Sequence, residues 1–401
     1  MQGFELVRDI AVSTPSKIIM LVVDGLGGLP DPATGKTELE TAYTPNLDQL
    51  ACRGSSGLTR PVGSGITPGS APGHLGLFGY NPLTYNIGRG VLEALGIDFD
   101  LQPGDVAARG NFCTIDAGGK ITDRRAGRVA TEESTRLCKM LDGWEIDGAQ
   151  IIVRPVKEHR FIIVLRGANL DARLTDTDPQ RLGALPLPVA PLSPEAGRAA
   201  GIANEFLRRA KETLAPCCPA NMLLLRGFSE RPSFPSFGEV YRLKPAAIAG
   251  YPMYRGLARV LGMDVLPTEP SIPGAIETLK RVYAAYDFFF LHVKGADAAG
   301  EDGDFVRKVA VIEELDKLIP EITALAPDVF VVAGDHSTPA TIKGHSWHDV
   351  PCLISSPWCR PDGLAKFGER HCLGGSLGII KATSLMPLAM AHAQKLTKYG
   401  A

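Results

Sequence analysis

Asp24, Asp297 and Asp335 each stand within two or three residues of the end of an apolar run, in KIIMLVVDG (17–25), YDFFFLHVKGAD (286–297) and PDVFVVAGDH (327–336). Three more donors accompany them. Glu301 lies four residues after Asp297, His336 is beside Asp335, and His345 follows nine residues later. Gathered carboxylates need a cation, because buried unpaired anions are very costly. Carboxylate and imidazole donors without thiolate suit Mn²⁺, Mg²⁺ or Zn²⁺. Six donors are enough for two such ions. Taken singly, each Asp reads more readily as a turn or cap residue, and it is the joint pattern that points to metal. Five of the eight histidines, at 292, 336, 345, 348 and 371, fall in the same part of the chain.

Ser70 sits in GSGITPGSAPGHLGLFGYNP (63–82), a stretch of small residues that lets a ligand come close to the backbone. At a helix start its neighbouring N–H groups favour an anion. Ser70 is therefore the candidate nucleophile, a metal ion supplying the activation that a free hydroxyl lacks. Its other reading is a plain helix N-cap. GGSLG (374–378) fits G-x-S-x-G but has no clear strand before it and reads as a turn. GLGGLP (25–30) fails the dinucleotide fingerprint at its last position.

The elements that must carry these residues alternate. The three apolar runs read as strands buried on both faces of a parallel sheet, and VPCLI (350–354) as a fourth. Helical stretches at 44–53, 273–286 and 304–326 lie between or beside them, giving an α/β layered sheet. In open sheets of this kind ligands bind outside the carboxyl ends of the strands, where the three aspartates converge. The helix at 44–53 is punctuated by Thr44, Pro45 and Gly54. From about 103 to about 215 the pattern changes to strand-like pieces, a Pro-rich linker and a helix at 194–214. This reads as a second domain, 103–215, inserted into a first formed by 1–102 and 216–401. RGFSERPSFPSFG (226–238) reads as the return connection.

Composition narrows the class. The 401 residues carry 42 Lys and Arg against 44 Asp and Glu, a net charge of −2 without charged blocks, which argues against a nucleic-acid binder or a polybasic membrane anchor. Neither a signal segment nor a membrane-length apolar run is visible. The eight cysteines have no C-x-x-C spacing and read as reduced thiols of a cytoplasmic protein. Glycine (44) and proline (31) are abundant but well short of a disordered composition, so they belong to turns.

VVDG, TPNLDQLACRG, TPGSAPGH, DAAGEDGD, AGDHS and GHSWHDVP occur in the order seen in the alkaline phosphatase superfamily. ITPGSAPGHLGLFGYNP, ARGNF, DRRAGR and YPMYRGLARVLGM resemble, more narrowly, the archaeal type of 2,3-bisphosphoglycerate-independent phosphoglycerate mutase, over nearly the whole chain. The resemblance implies an alkaline-phosphatase-like, mostly parallel sheet sandwiched by helices, with a smaller inserted α+β cap domain. It implies an isomerase of glycolysis and gluconeogenesis that interconverts 3- and 2-phosphoglycerate through a phosphoserine on Ser70. Asp24, Ser70, Asp335 and His336 match the positions holding one metal, and Asp297, Glu301 and His345 the second. Where the broader pattern has His four residues after the Asp, this chain has Glu301, and His348 competes with His345 as a ligand. Glu hardens the site and favours Mn²⁺ or Mg²⁺ over Zn²⁺ or Co²⁺.

A phosphate and a carboxylate also need cationic partners, preferably Arg. The inserted domain offers Arg109, Arg125, Arg128, His159, Arg160 and Arg166, and the sheet domain Lys294 and Arg255. Arg128, His159, Arg160 and Lys294 are the candidates for binding the small-molecule substrate. Two other readings keep the same residues: a metal-dependent phosphatase or phosphodiesterase, and a non-catalytic metal- or phosphate-binding protein. Oligomeric state has no signature in the sequence.

Overall fold

A computed structural model of the chain describes residues 2–400 and divides it into two compact units, one built from the segments up to Asn86 and from Phe234, the other from Ile87–Ser233. Strands β1 (Ile18–Val23) and β2 (Ser55–Arg60) come first. The inserted unit holds β3 (Val106–Ile115), β4 (Ile121–Asp123), β5 (Glu145–Ile146), β6 (Ala149–Lys157), β7 (Arg160–Arg166) and β8 (Met222–Ser229). The chain then adds β9 (Pro245–Ile248), β10 (Asp264–Val265), β11 (Phe288–Val293), β12 (Val329–Ala333), β13 (Val350–Ser355) and β14 (Gly378–Lys381).

The larger sheet runs β10-β9-β11-β1-β12-β13-β2-β14. Its first five strands are parallel, with β1 in register between β11 and β12: Ile18 faces Phe288 on one side and Val329 on the other. Helices cover both faces. Ile19, Leu21, Phe289, Leu291 and Phe330 share a core with helices Pro45–Arg53, Ile272–Val282 and Phe305–Thr323. On the other side Phe290 meets Phe78, and Phe288 meets Phe237. A strand buried twice over has no polar face, hence the unbroken apolar runs. β13 differs from its three relatives by running antiparallel to both β12 and β2, so the sheet is mixed. No helix crosses back between β12 and β13. A return without a crossover reverses the strand direction.

The inserted unit is an antiparallel sheet, β4-β3-β7-β6-β5, with β8 also paired to β3. It extends past the expected 103–215 at both ends. The helix Arg89–Gly96 packs so closely on β3 that a Cβ on Gly90 would meet the Ala107 carbonyl oxygen at 2.1 Å. β8 completes the sheet on the other side, so RGFS is a strand rather than part of a connection. Helix Gly197–Leu214 and helix Thr131–Leu141 contribute Phe206, Ala210, Leu137 and Leu141 to this unit's core. No helix among the described residues is long and apolar enough to cross a membrane.

The segment leaving β1 is fastened by Glu369, which accepts the Gly28 N–H at 2.9 Å and the Thr37 hydroxyl at 2.7 Å. Burial pushes its carboxyl from 4.5 up to about 7, against the pull of those donors. The folded protein therefore holds this proton more tightly than the unfolded chain. The resulting stabilisation is complete below pH 4.5 and lost as the pH rises through about 7. Glu369→Gln should remove that dependence: on raising the pH from about 5 to about 8.5, wild type should lose on the order of 1–2 kcal/mol relative to the variant in urea denaturation.

Candidate functional site

Ser70 opens the helix Ser70–Leu77, whose N-cap is Gly69. Its hydroxyl caps nothing in that helix and lies 3.1 Å from His336 Nε2. Gly73 makes the approach feasible, since a Cβ there would stand 2.2 Å from the Asp335 carbonyl oxygen. One turn on, His74 is buried, with Nδ1 2.8 Å from the Ser70 carbonyl and 3.1 Å from Asp335 Oδ2.

The carboxyl ends of β11, β1 and β12 bring the three aspartates together. Ligand atoms of Asp24, Asp335 and His336 lie within 4.8 Å of one another, and so do those of Asp297, His336 and His345. His336 stands between the two groups, its Nε2 3.1 Å from Asp335 Oδ2 and 3.4 Å from Asp24 Oδ1. The His345 ring stacks on it at 3.7 Å. His345 gives its Nδ1–H to the Pro68 carbonyl at 2.9 Å, which leaves Nε2 facing Asp297 at 3.5 Å. Gly25 has φ +67°, and a Cβ on it would collide with Asp297 and Thr338 at about 2.8 Å. The tight turn after β1 thus admits glycine alone.

Asp24, Asp297 and Asp335 are all buried. Burial and the Asp335 charge push Asp24 up, but Lys294, the His292 hydrogen bond and His336 outweigh them and hold it at about 2. Burial raises Asp297 too, and the His345 hydrogen bond with the Lys294 charge brings it down to about 2. Asp335 is likewise held well below its ordinary value against burial, by His336 and His74. All three remain anionic. Reciprocally, burial lowers His345 while its bond to Asp297 raises it more, to about 9. Asp24 Oδ1 and Asp335 Oδ2 have no hydrogen-bond partner. Buried anionic oxygens without donors, set among imidazoles, fit a divalent cation.

Of the residues expected from sequence, Asp24, Ser70, Asp297, Asp335, His336, His345 and Lys294 come together. Lys294 Nζ lies 3.1 Å from Asp24 Oδ2 and donates a short hydrogen bond to Asp297 Oδ2. Glu301 stands at the rim, one helical turn from Asp297, mostly exposed and 3.9 Å from His345 Nε2. His348 is outside both donor groups, stacked on Trp347 with Nδ1 3.0 Å from Ser346 Oγ.

Four contributors were not among the candidate site residues. Tyr254 donates a short hydrogen bond to Asp24 Oδ2 and stacks on His292 at 3.7 Å. His292 Nε2 is 3.2 Å from the same oxygen. The others are His74 and Thr338, the latter donating to Asp297 Oδ1 at 2.8 Å. Two carried a signal. His292 is the one polar residue in the strand FFFLHV, and His74 lies four residues from Ser70, on the same helix face.

Arg128, His159 and Arg160 belong to the inserted unit. His159 is buried in the β6–β7 turn, and Arg160 opens β7 opposite Asn111 of β3. Arg128 is exposed, at φ +54° in the short 3₁₀ turn Ala126–Arg128. Burial first, then the charges of Arg160, Arg109, Arg125 and Arg128, lower the His159 imidazole to about 4. The arginines thus surround a neutral ring.

A serine hydroxyl set among buried carboxylates and imidazoles at the ends of parallel strands defines an α/β protein whose donor groups could hold divalent cations beside that hydroxyl. The comparisons give the family. Residues 51–218 match the model of the 2,3-bisphosphoglycerate-independent phosphoglycerate mutases. A Thermus thermophilus protein named as a probable enzyme of that kind is 50% identical over the full length of both chains. The solved structure of a cofactor-independent phosphoglycerate mutase from Thermoplasma acidophilum is 32% identical, covers 94% of this chain and 100% of its own, and has a TM-score of 0.70. A Pyrococcus horikoshii protein structure is 29% identical, with coverage of 97% and 100% and a TM-score of 0.84. The chain belongs to the 2,3-bisphosphoglycerate-independent phosphoglycerate mutase family.

The surroundings of His159 can be checked directly. Its titration by ¹⁵N NMR should centre near 4, and Arg160→Met should move it upward; a midpoint at the ordinary histidine value of about 6.5 would refute the arginine cluster.

Proposed function

We propose that this isomerase interconverts 3-phosphoglycerate and 2-phosphoglycerate without 2,3-bisphosphoglycerate, and that Ser70 carries the phosphoryl group between the two positions. Family membership supports the reaction. The observation that carries the site assignment is the placing of Ser70 Oγ against His336, the residue shared by both donor groups.

Asp24, Asp335 and His336 with Ser70 would hold one divalent cation, and Asp297 and His345, with Glu301 reaching in from the rim, a second. Their oxygen-rich character favours Mn²⁺, with Mg²⁺, Zn²⁺ or Co²⁺ as alternatives. Bound there, the cations would lower the pKa of the serine hydroxyl and neutralise charge on the phosphoryl oxygens. The chain's own groups do the rest. Gly69 and Ser70 present the free N–H groups of a helix start to the incoming phosphate. Lys294, charged and held above its ordinary pKa by Asp24 and Asp297 against burial, supplies a cation for a phosphate oxygen. Ser70 Oγ gives up its proton and attacks phosphorus, the P–O bond to the substrate breaks, the departing oxygen takes up a proton in its place, and a phosphoserine results. The glycerate then offers its other hydroxyl, which takes the phosphoryl group and frees Ser70. Arg128 and Arg160, permanently charged beside neutral His159, suit the carboxylate of the substrate. The setting of this chemistry is glycolysis or gluconeogenesis in the cytoplasm.

The test is a coupled assay from 3-phosphoglycerate through enolase, without 2,3-bisphosphoglycerate, on metal-stripped protein replenished separately with Mn²⁺, Mg²⁺, Co²⁺ and Zn²⁺. Turnover with at least one ion is expected, Mn²⁺ leading; inorganic phosphate as the sole product would favour the phosphatase reading instead. Ser70→Ala should lower kcat at least about a thousandfold while Mn²⁺ still binds. Imidazolium competes with a cation for Asp297, so Mn²⁺ affinity should rise with pH until His345 has lost its proton at about 9, with proton release on binding measurable by calorimetry in buffers of different ionisation enthalpy. Binding that is independent of pH would remove His345 from the site.

A further inference from the structure

Thr338 is in neither donor group, yet its hydroxyl touches a member of each. It donates to Asp297 Oδ1 at 2.8 Å and lies 2.9 Å from His336 Nδ1. A hydroxyl has a single proton to give. With that proton committed to the carboxylate, the second contact is a hydrogen bond only if Nδ1 carries hydrogen and Thr338 Oγ1 accepts it. The neutral His336 ring is then the Nδ1–H tautomer, and its Nε2 lone pair faces Ser70 Oγ, Asp24 Oδ1 and Asp335 Oδ2. The opposite tautomer would leave Nδ1 and Thr338 Oγ1 lone pair against lone pair.

We propose that Thr338 is a positioning residue that fixes the tautomer and orientation of His336 and at the same time aims Asp297, so that one hydroxyl aligns both donor groups. The fold gives Thr338 little freedom to do otherwise. It is fully buried, its N–H donates to the Gly27 carbonyl at 3.0 Å, and its own carbonyl accepts from Lys308 Nζ at 2.9 Å. The same ammonium donates to the Gly27 carbonyl at 2.9 Å and lies 3.8 Å from Glu38 Oε1, all within the protein interior. Lys308 thereby clamps the turn that carries Asp24 to the loop that carries His336. A ligating imidazole whose other nitrogen is held in this way is fixed in tautomer and ring orientation.

The inference takes its metal chemistry from the proposed function, but it is read without substrate. In the wild-type, metal-free protein under alkaline conditions, long-range ¹H–¹⁵N NMR, with His336 assigned by its loss in His336→Gln, should show the Nδ1–H tautomer. An Nε2–H tautomer overturns the proposal. Thr338→Val keeps the shape and deletes the hydroxyl; it should weaken Mn²⁺ binding in calorimetry about 10–100-fold and lower kcat, with KM for 3-phosphoglycerate within about twofold. Thr338→Ser should stay within about threefold of wild type. Wild-type Mn²⁺ affinity in Thr338→Val, or Thr338→Ser as weak as Thr338→Val, overturns it. Should Thr338→Val fail to fold, the tautomer of the wild-type protein decides.

Discussion

Three aspartates, all buried and all anionic, share one small volume at the ends of β11, β1 and β12. Like charges at such distances in a low dielectric repel strongly, and desolvation adds to the penalty. Much of the surrounding structure answers that constraint. Lys294, His345, His74, His292 and Tyr254 each direct a proton or a ring at one or two of the three. No single partner would suffice. Lys294 spans Asp24 and Asp297, while His74 and His292 stand against Asp335 and Asp24. The charges form a network in which removing one member would leave another uncompensated.

Backbone geometry makes that convergence possible. Parallel strands in register end at the same level, so residues just past those ends meet without any long side chain. The turns must then be tight. Gly25 in the left-handed region and Gly73 against the Asp335 carbonyl are two of the places where even one methyl group would push the serine helix or the Asp24 turn away. Lys308, four residues into the Phe305–Thr323 helix, reaches back beneath these turns and donates to the Thr338 carbonyl and to the Gly27 carbonyl, which also accepts the Thr338 N–H. Positioning of the site thus extends from the strand ends into a helix far along the chain.

The strand-end aspartates were legible in the sequence because their signal is local: an apolar run, a glycine, a carboxylate. The same locality explains Ser70, in its stretch of small residues, and the helix at Pro45–Arg53 with its proline start and glycine stop. Direction was less legible. β13 looks like its parallel relatives because burial on both faces sets composition, whereas orientation depends on the connection. The limits of the inserted unit were misread for a related reason. β8 and the Arg89–Gly96 helix join it through pairing and packing on β3, and a strand's partner is not written in the strand itself. Tyr254 and Thr338 had no local mark at all. Tyr254 lies 230 residues from the aspartate it serves. Thr338 follows His336 by two positions, but its role is the geometry of one proton shared between two partners.

The two units also differ in the partners they gather around a buried titratable group. Around the aspartates the partners are lysine, histidine and tyrosine; the anions hold the Lys294 proton more tightly than usual against burial, and burial together with Asp24 does the same for Tyr254. Around His159 they are arginines, which stay charged at any accessible pH and offer a planar fork suited to a carboxylate. Burial together with those arginines keeps the His159 ring neutral, so it can donate or accept a hydrogen bond there without adding charge.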